Sequence, residues 1–377
     1  MKLLGLSVML ALLAACGKPA PIAFDSPALG LPPLPVHEAA TQAQIELGRK
    51  LFMDRRLSSN NTLSCAMCHV PEQGFAAAEL GTSVGMEGRS LRRNAPTVLN
   101  VAFVGAMFHD GRSPTLESQA WEPLLNPIEM GNTSAEALIG KIAAMPDYQG
   151  KFEAAFNGEA PGRATVAKAL ATYQRTLVSG NSRFDRWRYG NDKTALTAAE
   201  QAGFAVFAGK GRCIACHTAG EKNALFADGG FHNTGLGWAR SNTPAQQHRV
   251  QLAPGVFVEV SDQSLASVSE PIQTDTGRHE VTKRDADRWA YRTPSLRNVA
   301  ITAPYMHDGS LATLEAVIDY YDQGGIDNPG KDPLIAPLRL SDEEKRNLVA
   351  FLRTLTGDNT ASLASEARAA VPKHPSL

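Results

Sequence analysis

The sequence predicts an all-α fold of two tandem helical modules joined and decorated by long loops, and three observations carry that expectation. A Cys-x-x-Cys-His pentad occurs twice, as Cys65-Ala66-Met67-Cys68-His69 and Cys213-Ile214-Ala215-Cys216-His217. A second block repeats in step, with Asn94-Ala95-Pro96-Thr97-Val98-Leu99-Asn100-Val101-Ala102 matched by Arg292-Thr293-Pro294-Ser295-Leu296-Arg297-Asn298-Val299-Ala300. Apolar residues between these landmarks recur at three- and four-residue spacing, and no convincing alternating run suggests a strand.

In chain order, Met1-Lys2 and the apolar run Leu3 to Leu13 read as a secretory leader, too short to span a bilayer. Residues 1–15 are expected to be removed, with Cys16, in Leu13-Ala14-Ala15-Cys16-Gly17, carrying lipid. An ordinary leader with an incidental cysteine is the bland alternative. Residues 16–40 are proline-rich and predict a stiff tether.

The first module, 41–185, opens with a helix whose Ile45, Leu47, Leu51 and Phe52 share a face around Gly48. Thr133 with Glu136 opens another helix, and Ala164 to Val178 reads as a third. A polar stretch from Ser179 to Lys193 separates the modules. The second module, 186–357, begins with a capping box, Thr197 and Glu200, ahead of Phe204, Val206 and Phe207. Its insert around Gly229 to Ser269 predicts loops, with His232 and His248 as loop histidines rather than ligands. Ser341 with Glu344 opens a closing helix through Leu348, Leu352 and Leu355 to Gly357, and 358–377 is left as a tail.

Each pentad has the chemistry to hold one haem covalently, making each module a cytochrome c-like haem domain. Two thiols three positions apart can form thioethers to the vinyl groups of one porphyrin, and the adjacent histidine then faces the iron. A zinc site needs four ligands, and a redox Cys-x-x-Cys does not explain the histidine in both copies. Of the five cysteines, four go to thioethers and one to lipid, so none remains for a disulfide. The net charge of -1 argues against nucleic acid as a partner.

The duplication continues thirteen residues past each proline with His109-Asp110-Gly111 and His307-Asp308-Gly309, then Thr115 to Glu117 and Thr313 to Glu315. Fourteen residues beyond these histidines stand Pro123 and Tyr321. Proline offers iron nothing, whereas Tyr321 falls on the stripe Leu314, Val317, Ile318, Tyr321 and projects to the buried side of a helix. It is either a ligand or a core tyrosine bonded to a carbonyl, and Met306 is a rival ligand.

Across most of its length the chain resembles the bacterial di-haem cytochrome c peroxidase and MauG family. The motifs are Arg93-Asn94-Ala95-Pro96-Thr97, Phe108-His109-Asp110-Gly111-Arg112, Leu116 to Ala120, Asn126-Pro127-Ile128-Glu129-Met130 and Pro304-Tyr305-Met306-His307. The resemblance implies a peroxidatic first haem and an electron-handling second one. It makes Glu129 the distal acid-base carboxylate, Gln119 the distal amide and Pro123 the lining of the open face. It also implies a calcium ion held by Asn94, Thr302 and Pro304. Three positions depart from ordinary peroxidases: Met86 stands where a removable distal histidine is usual, Tyr321 replaces a methionine ligand as in MauG, and His109 replaces an inter-haem tryptophan. An anionic oxygen ligand lowers a haem's potential, and His109 is expected to relay charge or to bond a haem propionate.

These readings point to a hydrogen-peroxide-dependent oxidoreductase, periplasmic and lipid-anchored at the outer membrane, with a protein substrate. Ordinary peroxide detoxification, fed by a small cytochrome c or a cupredoxin, is the alternative. A pure electron carrier has no use for an acid beside an open face.

Overall fold

The computed structural model describes residues 28–35, 40–242, 248–253, 256–261, 264 and 274–369. Helices dominate, as the sequence predicts. The leader, Cys16 and the early tether lie outside the described residues.

The first module is organised by α1 (Gln42–Met53), which starts where Thr41 and Gln44 form a reciprocal capping box. Its pentad lies on the single turn α2 (Cys65–Cys68), followed by α3 (Leu116–Leu125), α4 (Ala135–Ala144), α5 (Lys151–Ala155) and α6 (Arg163–Thr176). Leu47, Leu51 and Phe52 of α1 pack with Val166, Leu170 and Tyr173 of α6 in one core. Gly48 permits that approach, because a Cβ there would lie 1.9 Å from the Ala169 carbonyl oxygen. The cap of α4 is Ser134, whose hydroxyl accepts from Ala137 N, and not Thr133, so that helix begins one residue later than expected.

The second module repeats the device. After α7 (Arg183–Arg188), α8 (Ala198–Ala208) opens on the Thr197–Glu200 capping box and crosses α12 (Asp342–Arg353), capped by Ser341 and Glu344. A Cβ on Gly203 of α8 would lie 1.9 Å from the Asn347 carbonyl of α12. Phe184, Phe204, Phe207, Phe226 and Phe351 close this core, with Phe207 and Phe351 centroids 5.1 Å apart. Between these helices come α9 (Leu236–Asn242), α10 (His279–Thr282) and α11 (Leu314–Asp322).

The insert is not all loop. Strands β2 (His248–Ala253) and β3 (Val256–Val260) form an antiparallel hairpin, and β1 (Phe231–His232) pairs with β4 (Tyr291–Arg292). Val256-Phe257-Val258-Glu259-Val260 is the alternating β-branched run that reading by helical period passes over.

Both chain ends of the described fold cross over. Leu29 and Gly30 accept from Asn181 N and Ala224 N, and Leu31 is buried, so the end of the expected tether is seated in the second module. Arg297 fixes it, donating to Gly30 O while pairing with Asp185 at 2.8 and 2.9 Å; both side chains are essentially fully buried. Because Phe184 and Asp185 belong to the second core, the divide falls before α7 rather than after 185. The expected tail is the helix α13 (Thr360–Ala369), which returns to the first module. Ala367 enters the first core, Arg368 pairs with Glu72 and Arg49 donates to Glu366 O.

The modules meet about a pseudo-twofold seam. Asn94 N donates to His307 O at 2.8 Å, and the equivalent Arg292 N donates to His109 O at 2.7 Å. Equivalent backbone strain repeats with it, at Asn100 and Asn298 (φ 61° and 63°) and at Phe108 and Met306 (φ 67° and 73°).

Candidate functional site

The two pentad histidines are seated alike. The His217 ring Nδ1 donates to Phe226 O at 2.9 Å, and the Pro294 carbonyl also bears on the ring. His69 faces the carbonyls of Phe75 and Pro96, although its buried Nδ1 makes no hydrogen bond of good geometry. Phe75 and Phe226 present these carbonyls from the same left-handed backbone, φ 54° and 53°. Burial lowers the pKa of both rings, so each is neutral. A carbonyl on Nδ1 leaves the Nε2 lone pair free for a metal.

Cys65, Cys68, Cys213 and Cys216 are unpaired and half-buried. Burial, then the neighbouring Cys68, pushes the Cys65 thiol up to about 12, and burial pushes Cys213 up to about 11. These sites suit neutral thioethers, not thiolates. Among the described residues, one trio of possible ligands converges on a pentad: Cys216, Asp228 and His232. Carboxylates occupy both ring nitrogens of His232, Asp332 at 2.6 Å and Asp228 at 2.9 Å, so a four-ligand zinc site is not formed. The Cys216 thiol first, then the bracketing Asp332 and Asp228, raise the His232 pKa to about 10, which makes this ring part of the second pentad's surroundings. Sequence reading missed this cluster because Asp332 lies one hundred residues from His232.

Beside the first pentad, α3 ends at Asn126, which opens a tight turn by accepting from Ile128 N and donating to Glu129 Oε1 at 2.8 Å. Glu129 bears on both Cys65 and Cys68. Burial raises its carboxyl above the usual range, with Arg112 and the Asn126 bond working against that shift and Glu122 adding to it. Gln119 and Pro123 lie one turn apart on one side of α3, both half-buried. Met86 is buried, its side chain against Gly131 and its N–H on Ile128 O, so it adjoins the Glu129 turn.

Beside the second pentad, α11 brings in Tyr321, with Leu314 and Ile318 buried on the same stripe. Burial raises its phenol pKa well above the ordinary value, and the charges of Tyr320, Cys213 and Cys216 add to this. Tyr320 donates to Thr234 O at 2.6 Å, whereas the Tyr321 hydroxyl has no hydrogen-bond partner among the described residues.

At the seam, His109 Nε2 donates to Asn94 O at 3.0 Å. Burial holds His109 down to about 3 and keeps it neutral. His307 stacks on Tyr291 at 3.7 Å and 14°, and its buried Nε2 has no partner. Asn94 gives its amide nitrogen to Gly81 O at 2.9 Å, which leaves Oδ1 for a cation.

A profile of the di-haem cytochrome c peroxidase family matches residues 42–193. The methylamine utilization protein MauG of Methylorubrum extorquens is 38% identical over 330 residues, covering 87% of this chain and 82% of its own. Cytochrome c551 peroxidase of Nitrosomonas europaea is 34% identical, covering 83% and 80%. A solved MauG-like protein associated with microbial copper homeostasis superposes with TM-score 0.73 at 33% identity, covering 92% and 98% of the two chains. The diheme peroxidase BthA from Burkholderia thailandensis gives 0.69 at 25%, covering 91% and 95%. With two neutral histidines beside paired thiols in duplicated modules, the chain belongs to the di-haem cytochrome c peroxidase and MauG family and is an oxidoreductase carrying two covalently attached c-type haems.

Proposed function

We propose that the protein cleaves hydrogen peroxide at its first module and shares the oxidising equivalents with a tyrosine-ligated second haem, acting in a MauG-like way on a protein substrate. The carrying observation is the half-buried Glu129 beside the first pentad, its carboxyl pKa raised by burial. Haem iron at His69 supplies the redox centre for breaking the O–O bond. Glu129 takes the proton from the inner peroxide oxygen and returns it to the outer one, so that water leaves. Asn126 holds one carboxylate oxygen and thereby aims the other. Gln119 orients the oxidant, and Pro123 keeps the facing wall free of ligand atoms.

Tyr321 supports the second half of the reading, because its phenol lies beside the second pentad without another partner. An anionic oxygen there stabilises higher oxidation states and makes this haem a poor entry for electrons. Asn94, Thr302 and Pro304 hold calcium in the same proposal. The leader and Cys16 support a periplasmic protein, lipid-anchored at the outer membrane, in the same proposal.

Optical and EPR spectra before and after stoichiometric peroxide test the assignment. High-spin iron at one haem of the resting ferric protein, and a second haem resistant to mild reductant, are expected. Strong ligands on both irons in every redox state would leave only electron transfer. Relatives named both MauG and cytochrome c peroxidase keep the second reading, peroxide detoxification fed by a small cytochrome c or cupredoxin. Rapid peroxide-driven oxidation of a reduced small cytochrome would favour it.

A further inference from the structure

The seam between the modules is rich in arginine, and nearly every guanidinium there has an acid. Arg93 pairs with Asp110 and Asp275 at 2.6 and 2.7 Å, Arg92 with Glu280 at 2.6 Å, and Arg112 with Asp110 and Glu122 at 3.1 and 2.5 Å. Arg292 does not. Its Nε donates to Phe108 O at 3.2 Å across the seam and its Nη1 to Thr293 O at 3.4 Å, and no carboxylate of a described residue lies within 4.0 Å. Burial alone acts on its pKa, and lowers it.

The pseudo-symmetry sharpens the oddity. The position equivalent to Arg292 is Asn94, a neutral side chain bonded within its own module to Gly81 O. The duplicated fold therefore does not need a cation here. A guanidinium drawn partly out of water without a carboxylate is costly, and arginine is the residue that recognises carboxylates with a planar fork. Three residues earlier, the buried Trp289 Nε1 is a second donor without an acceptor.

Arg292 also adjoins the segment that seats the second pentad's histidine. Two residues on, the Pro294 carbonyl bears on the His217 ring, and the Arg292 backbone N–H holds His109 O. Each haem brings two propionate carboxylates with it, and these are acids the polypeptide does not supply. We propose that Arg292 is the counter-charge of a haem propionate at this seam, and that it sets the reduction potential of that haem. The assignment rests on the two-haem reading above. An uncompensated propionate favours oxidised iron, so the guanidinium favours the reduced form by cancelling it.

The test is spectropotentiometry of the holoprotein and of Arg292→Gln and Arg292→Lys, with pyridine haemochrome spectra to count haems. For Arg292→Gln, one of the two midpoint potentials falls, so that at the parent's midpoint the reduced-to-oxidised ratio of that haem drops roughly tenfold, as expected for loss of a nearby partly buried charge. Arg292→Lys, which keeps the charge, restores most of the ratio. A di-haem Arg292→Gln with both potentials unchanged overturns the assignment, as does a fall that lysine fails to restore. If Arg292→Gln does not accumulate, the propionate bending bands in resonance Raman spectra of the parent and Arg292→Lys decide. A shifted band supports the contact, and identical bands overturn it. A parent protein with no covalent haem would instead overturn the two-haem reading itself.

Discussion

Substituting Glu129 by glutamine separates proton transfer from architecture. Glutamine is isosteric and keeps an oxygen for Asn126 Nδ2, which now lies 2.8 Å from Glu129 Oε1, so the Asn126–Gly131 turn is retained. What it cannot do is accept and return a proton. A positioned acid-base group contributes roughly 10²–10⁴-fold, or about 3–5 kcal/mol of barrier. Stopped-flow mixing of the resting protein with peroxide, followed at the Soret band, should show a loss of that size with both haems still attached. Burial raises the Glu129 pKa above its ordinary 4.5, so the parent's rate should climb with pH through that raised value while the variant's stays flat. Stability should move the other way. A carboxyl whose folded pKa exceeds its unfolded one favours the fold most below the unfolded pKa, and loses that contribution as pH rises through the folded one. Glu129→Gln should therefore be more stable than the parent at neutral pH, by urea titration, with no such gain below pH 4. A peroxide rate within threefold of the parent would refute the proton-shuttle role, and a variant less stable at neutral pH would show that the buried charge is compensated.

Tyr321→Met should raise one haem's reduction potential and make it reducible by ascorbate; an unchanged potential by spectroelectrochemistry would remove Tyr321 from the iron. Arg297→Met should cost about 3–5 kcal/mol in chemical denaturation, because it strands the buried Asp185 carboxylate and frees the Gly30 strap. A loss under 1 kcal/mol would mean that water reaches this pair. Gly48→Ala and Gly203→Ala should each cost about 1–3 kcal/mol, since each added Cβ meets a backbone carbonyl at 1.9 Å. Thermal unfolding checks both, and a neutral result would mean that the helix pairs separate easily. Cys16→Ser should release the protein from the membrane fraction and abolish labelling by a radioactive fatty acid; unchanged partitioning would discard the lipid anchor.

Much of the site could be read from the chain because its key groups are local. A pentad is five consecutive residues, and Thr41, Thr197 and Ser341 each announce a helix within four. The spacing of Leu314, Ile318 and Tyr321 fixes a helical face before any packing is known. The residues that escaped notice act across distance. His232 is bracketed by acids from two segments, Arg93 joins Asp110 to Asp275, and the hairpin at His248–Val260 was hidden in a polar insert. Segments read as tether and tail proved to be straps, since Leu31 lies against Gly180 and Ala367 enters the first core, both far along the chain.

By itself the sequence determined the duplication, the all-α class, the two covalent haem attachments and the list of residues able to serve them, because covalent chemistry and helical period are properties of neighbouring residues. The tertiary structure decided which carbonyl each histidine meets, that Glu129 is half-buried beside the first pentad, that His109 bonds Asn94, and that Arg292, in a seam crowded with acid-paired arginines, donates only to carbonyls. Charge, burial and tautomer depend on what surrounds a group in space, and two modules folded against each other about a pseudo-twofold seam supply those surroundings from opposite ends of the chain.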